Sequence, residues 1–247
     1  MKIKKIPINK ILKDSFNFVF SDFLEKFKKG FFIVFLITLG FNGLNFLISS
    51  SLATNFTIFL FITFSILLMS SIGISVHKEI IANQKQDFFL DFLSIKNFKY
   101  FLTILLITLA AISPFVIHYL FKIFNIIKIL NFNISLLFVF WMITSALALR
   151  LIFILPKIAL DIKINKISKE LNNSGFQLLV LFFIVTIIFF IPSAIIVSFQ
   201  VSLLATNSQI FSILKPFFDL VSFYISYFNY LIIFAVISYS YKISENK

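Results

Sequence analysis

From Gln177 to Leu203 the chain reads QLLVLFFIVTIIFFIPSAIIVSFQVSL, 27 residues without one charged side chain. As a helix rising about 1.5 Å per residue it would be about 40 Å long. A bilayer's hydrocarbon core is about 30 Å thick, so the run is long enough to span with tilt or with a kink at Pro192. Five further stretches of the same character lie at roughly 31–51, 55–76, 101–121, 134–156 and 220–241. The predicted fold is therefore all-α: a polytopic membrane helical bundle of about six transmembrane helices, with all 247 residues in a single integral membrane domain.

Composition agrees with this reading. The chain is 60% hydrophobic and 13% charged, with a mean hydropathy of +1.04. Soluble domains are about 45–50% apolar and about 25% charged. A soluble enzyme and a disordered chain are excluded on that ground. A membrane β-barrel is excluded because the apolar runs are continuous rather than alternating. No cysteine is present, so disulfide and thiolate chemistry are absent. The abundance of Phe, Ile, Lys and Asn resembles the usage of an AT-rich genome.

The formal net charge is +12. In so apolar a chain this excess points to membrane lipids of anionic character, not to nucleic acid. The distribution of the bases is more telling than their number. The polar segments before the first span, between the second and third, between the fourth and fifth, and after the sixth hold 19 Lys and Arg. The remaining connections hold only Lys122, Lys128 and Lys215. Basic residues favour the cytoplasmic side. The expected topology is multi-pass with both termini cytoplasmic, which requires an even number of spans.

The lysine-rich segments also carry apolar periodicity. Ile8, Ile11, Leu12, Phe16, Val19, Phe20, Phe23, Leu24 and Phe27 recur every three or four residues. Pro7 can start a helix and Gly30 can stop one. Residues 1–30 are thus expected to hold one amphipathic helix over about 8–28, lying on the cytoplasmic membrane surface or on the ends of the spans. Weaker versions occur at 79–98 (Ile80, Ile81, Phe88, Phe89, Phe92, Leu93) and at Ile164, Ile167 and Leu171, suggesting a loose threefold plan of amphipathic helix plus hairpin.

No catalytic constellation is expected. His77 and His118 fall at opposite ends of the spans and cannot share a metal. No nucleophile elbow, P-loop or dinucleotide fingerprint occurs. No cofactor is implied, and no acidic residue lies in the middle of a predicted span, which argues against an ion-coupled pump.

Arg150, the only arginine, is the candidate for a lipid headgroup or buried polar partner, because its planar fork suits phosphate or several carbonyls. The bland alternative is simple snorkelling. Pro114, Pro156 and Pro192 are candidate helix kinks, freeing the carbonyls of Ala110, Ile152 and Ile188, with Ser113 and Ser193 placed to re-satisfy backbone groups. Asn42 and Asn45, near Gly40 and Gly43, are candidate interhelical hydrogen bonders. Ser222, Ser226, Asn229 and Tyr230, following Asp219, form a polar stripe expected to face the bundle. Tyr239 and Tyr241 fit an interfacial aromatic belt.

The stretch Arg150-Leu-Ile-Phe-Ile-Leu-Pro156-Lys-Ile-Ala-Leu-Asp161, followed by Ser168 to Phe176, resembles the six-helix bacterial membrane proteins related to the membrane domain of glycerophosphodiester phosphodiesterases. The His-Arg-Gly element of that family's catalytic domain is absent. The resemblance implies a membrane domain without the enzyme, in a bacterial cytoplasmic membrane. The expected role is non-enzymatic: envelope or lipid organisation, or membrane partner of another protein or of a second copy. The alternative is a permease subunit of an ATP-driven transporter, since Glu170 to Gly175 echoes a coupling motif.

Overall fold

The computed structural model describes residues 6–49, 55–88, 92–123, 134–163 and 175–245. Every regular element among them is helical: α1 (Ile8–Phe20), α2 (Phe23–Ser49), α3 (Asn55–Ala82), α4 (Ile95–Ile123), α5 (Ile134–Ala148), a 3-10 turn (Leu149–Leu151), α6 (Ile154–Ala159), α7 (Gly175–Thr206) and α8 (Ser208–Glu245). Six segments are long and apolar enough to cross a membrane. The chain is an all-α polytopic bundle of three hairpins: α2–α3, α4–α5 and α7–α8.

The spans depart from the expected ones mostly at their ends. The last is a single helix of 38 residues, about 57 Å long, instead of a span over 220–241. Asp219 therefore lies well inside it. Its carboxylate is 12% exposed and pairs with Lys215 at 2.6 Å, one turn away. The turn between α7 and α8 is Asn207 alone, whose Oδ1 accepts the Ile210 N–H at 3.0 Å as an N-cap.

The single amphipathic helix expected over 8–28 is two elements. The chain turns at Ser21–Asp22 and α2 starts at Phe23, running straight through Gly30 into the first span. Gly30 does not end a helix. It makes room for a neighbour, since a Cβ there would lie 2.3 Å from the Tyr227 ring. The apolar face of α1 packs on protein: Ile11, Ser15 and Val19 are wholly buried, with α8 as the main partner.

The second amphipathic stretch, 79–98, is not one helix: 79–82 are the end of α3, 95–98 are the start of α4, and the described residues between them carry no helix. Asn83 takes a left-handed φ of 55°, a conformation Asn tolerates. The Gln84 N–H then closes on the Lys78 carbonyl at 3.1 Å, and Lys242 donates to the Ile80 carbonyl at 3.2 Å. These bonds finish α3, and the chain continues without regular structure to a buried Phe88. The third stretch, at 164–171, and the echo of a coupling motif lie outside the described residues, apart from Gly175.

Burial is distributed unevenly along the helices. The described parts of the lysine-rich segments fall at one end of the bundle, and the core sits there. On α2 no described side chain beyond Thr38 is buried. The same holds on α3 before Leu68, on α4 past Ile107, on α7 past Val185 and on α8 before Tyr224. Leu137 of α5, 9% exposed, is the exception. The helices are tied together over the lysine-rich half. Beyond it, ring contacts such as Phe41–Phe223 and Phe199–Phe218 still join neighbours, but the apolar side chains are only partly covered by protein.

Candidate functional site

Three polar sites are built into this arrangement. The first joins α2, α3 and α8. Lys26 is 1% exposed, and its Nζ lies 2.5 Å from Glu79 Oε1 and 3.9 Å over the Phe18 ring. Tyr227 donates its hydroxyl to the Lys26 carbonyl at 2.7 Å, a contact Gly30 permits by having no side chain. Glu79 Oε2 is buried with no hydrogen-bond partner among the described residues. A buried pair of this kind gains its Coulomb energy against a heavy desolvation cost, so its net contribution is small, but either charge left alone is very costly.

The second site centres on His77, 0% exposed. Nδ1 is 2.6 Å from Ser238 Oγ and Nε2 is 2.7 Å from Tyr100 Oη. Ser238 already donates its proton to the Phe234 carbonyl at 2.8 Å. It must therefore accept from Nδ1–H, leaving Nε2 to accept from the Tyr100 hydroxyl. This assigns a neutral imidazole with the proton on Nδ1. Gly73 makes the cluster possible: a Cβ there would stand 2.5 Å from Tyr100 Oη and 2.9 Å from the Phe234 ring. Both ring nitrogens are committed, so the histidine ties α3, α4 and α8 together and has no lone pair free for a reactant.

The third site is Arg150. It sits in the 3-10 turn after α5 and is half-buried. Neither a hydrogen bond nor an ion pair holds its guanidinium among the described residues. Its Cγ lies 3.1 Å from where a Gly175 Cβ would be, and the Ala146 carbonyl oxygen lies 1.8 Å from that point. Only glycine allows α7 to start this close to the end of α5. Arg150 lines an open groove with Ala146, Leu147, Phe176, Met142, Ile143 and Val139.

The other predicted residues fare unevenly. Ser113 donates to the Ala110 carbonyl that Pro114 frees, at 2.9 Å, while Thr144 of α5 donates to Ala111 across the hairpin at 2.9 Å. Ser193 bonds the Phe189 carbonyl, at 2.9 Å, and not that of Ile188, while α7 stays helical through Pro192. Pro156 kinks no continuous helix. It falls in the first turn of α6, where its missing N–H is an orphan anyway. Asn42 donates to the Thr38 carbonyl of its own helix at 2.9 Å, and a Cβ on Gly43 beside it would meet nothing within 4 Å. Asn45 is half-buried.

Ser226 bonds the Ser222 carbonyl at 3.1 Å, Asn229 has a buried, unpartnered Oδ1, and Tyr230 is 43% exposed. Tyr241 is not an interfacial belt residue. It is 5% exposed and packs edge-on to Phe153 at 5.8 Å. Among the described residues no cluster of three or more His, Asp or Glu is placed to hold a metal. Sequence reasoning missed the Lys26–Glu79 pair and the His77 network. The only signal for the second was a titratable residue in an otherwise apolar run, and Lys26, with Asp22 and Lys29 on the same helical face, gave none.

No family model, curated protein or solved structure matches the chain.

Proposed function

We propose that this integral membrane protein organises lipid in a bacterial cytoplasmic membrane, with its lysine-rich end and both termini in the cytoplasm and anionic phospholipid as its principal partner. The observation that carries the reading is the uneven burial. The lysine-rich half is a packed core. In the other half the apolar helices leave side chains such as Phe46, Phe59, Phe190 and Ile195 at 63–69% exposure, a surface suited to acyl chains. An enzyme or an ion-coupled carrier concentrates its polar groups in a reachable cavity. Here the two densest polar clusters are sealed inside the packed half and satisfied mainly by one another. The resemblance of the Arg150–Phe176 stretch to membrane domains that accompany phosphodiesterases fits this role.

Extraction of the whole chain into native-lipid discs, with mass spectrometry of the co-isolated lipids and proteins, tests it. Enrichment of anionic phospholipid over the surrounding membrane is the expected result. A lipid composition equal to that of the bulk membrane overturns the reading, and a stoichiometric nucleotide-binding subunit replaces it with the permease alternative.

A further inference from the structure

The Arg150 groove has the length, depth and charge of a binding site for one phospholipid. Val139, Ile143 and Leu147 of α5 form a stripe at four-residue spacing, 52%, 51% and 52% exposed, and Arg150 continues it three residues on. From Val139 to Arg150 the stripe is about 16 Å long, which is about the hydrocarbon depth of one leaflet. Phe176, 59% exposed, closes one side from the first turn of α7.

Depth agrees as well. Gly175 begins the uncharged run of α7 and packs directly on Ala146 and Arg150, which puts Arg150 level with the lysine-rich end of that span. Its planar fork finds no carboxylate or carbonyl partner among the described residues. The guanidinium therefore has no counter-ion from the described protein, and a phosphate diester supplies one with two parallel hydrogen bonds.

We infer that Arg150 and the α5 stripe hold one glycerophospholipid of the lysine-rich leaflet, its phosphate on the guanidinium and one acyl chain along Leu147, Ile143 and Val139. The inference rests on the lipid-organising reading and narrows it to a single site.

Native mass spectrometry of the full-length detergent-solubilised protein, titrated with phosphatidylglycerol, tests the site. The wild type should retain one lipid against delipidating wash. It should not retain a diacylglycerol of the same chains, and soluble glycerol phosphate should not displace the lipid. Arg150→Ala should weaken retention about tenfold or more, the size expected for a charged hydrogen bond. Arg150→Lys should lose most of the same affinity, because an ammonium cannot make the fork. Should Arg150→Ala fail to fold, the wild-type comparison of phosphatidylglycerol with diacylglycerol still decides. Equal retention of those two lipids, equal retention by Arg150→Ala, or displacement by glycerol phosphate each overturns the site. If native discs are enriched in anionic lipid but Arg150→Ala changes nothing, the site fails and the broader function stands.

Discussion

Lys26 and Glu79 show how much a single residue's worth depends on its neighbour. Replacing Glu79 by Ala leaves a buried ammonium over Phe18 with no counter-charge. We expect a loss of about 3–5 kcal/mol, measured as denaturant resistance in mild detergent. The double variant Lys26→Met with Glu79→Leu should recover most of it, since the pair's own net contribution is small. If the double variant is as unstable as the single one, the pair is needed for more than charge balance. Tyr100→Phe should cost about 1–3 kcal/mol, because it strips the only donor from His77 Nε2 and leaves that nitrogen buried and unpaired. None of these pairings was legible in the sequence. Lys26 and Glu79 are 53 positions apart, His77 and Ser238 are 161 apart, and neither composition nor periodicity selects a partner at that separation.

At the scale of the elements, glycine separates close approach from open space. A Cβ on Gly175 would collide with a backbone oxygen of α5, at 1.8 Å, whereas one on Gly43 meets nothing within 4 Å. Gly175→Ala should therefore destabilise by about 3 kcal/mol, at the upper end of overpacking costs. Gly43→Ala should be neutral or stabilise by up to about 1 kcal/mol through helix propensity. The same unfolding assay on both variants checks the contrast, and similar effects would contradict the packing described.

Elements were the most legible level of the fold. Six long apolar runs became six long helices because each one is its own hydrogen-bonding solution to the bilayer. The amphipathic segments were less legible. Periodicity shows that Ile11 and Val19 share a face with Phe20 and Phe23, but it cannot show that the face would be divided by a turn at Ser21–Asp22 and largely covered by α8.

For the whole molecule, the even number of helices and the one-sided lysines make a topology that can be tested directly. The chain has no cysteine, so single cysteines report cleanly. A cysteine at Asn207 should react with an impermeant maleimide added to intact cells. One at Lys85 should react only after permeabilisation, and labelling of Lys85 from outside would reverse the orientation.

The sequence by itself determined the class, the number of spans and the one-sided distribution of charge, since all three follow from local composition against a bilayer core about 30 Å thick. Tertiary structure alone decided where the core would lie. Apolar residues fill both halves of every helix, and in a membrane lipid satisfies them as well as protein does. Hydropathy therefore cannot tell a packed side chain from a lipid-facing one. Small residues and buried polar partners make that choice: Gly30, Gly73 and Gly175 let helices touch at the lysine-rich end, and Lys26, His77 and Tyr227 bind them there.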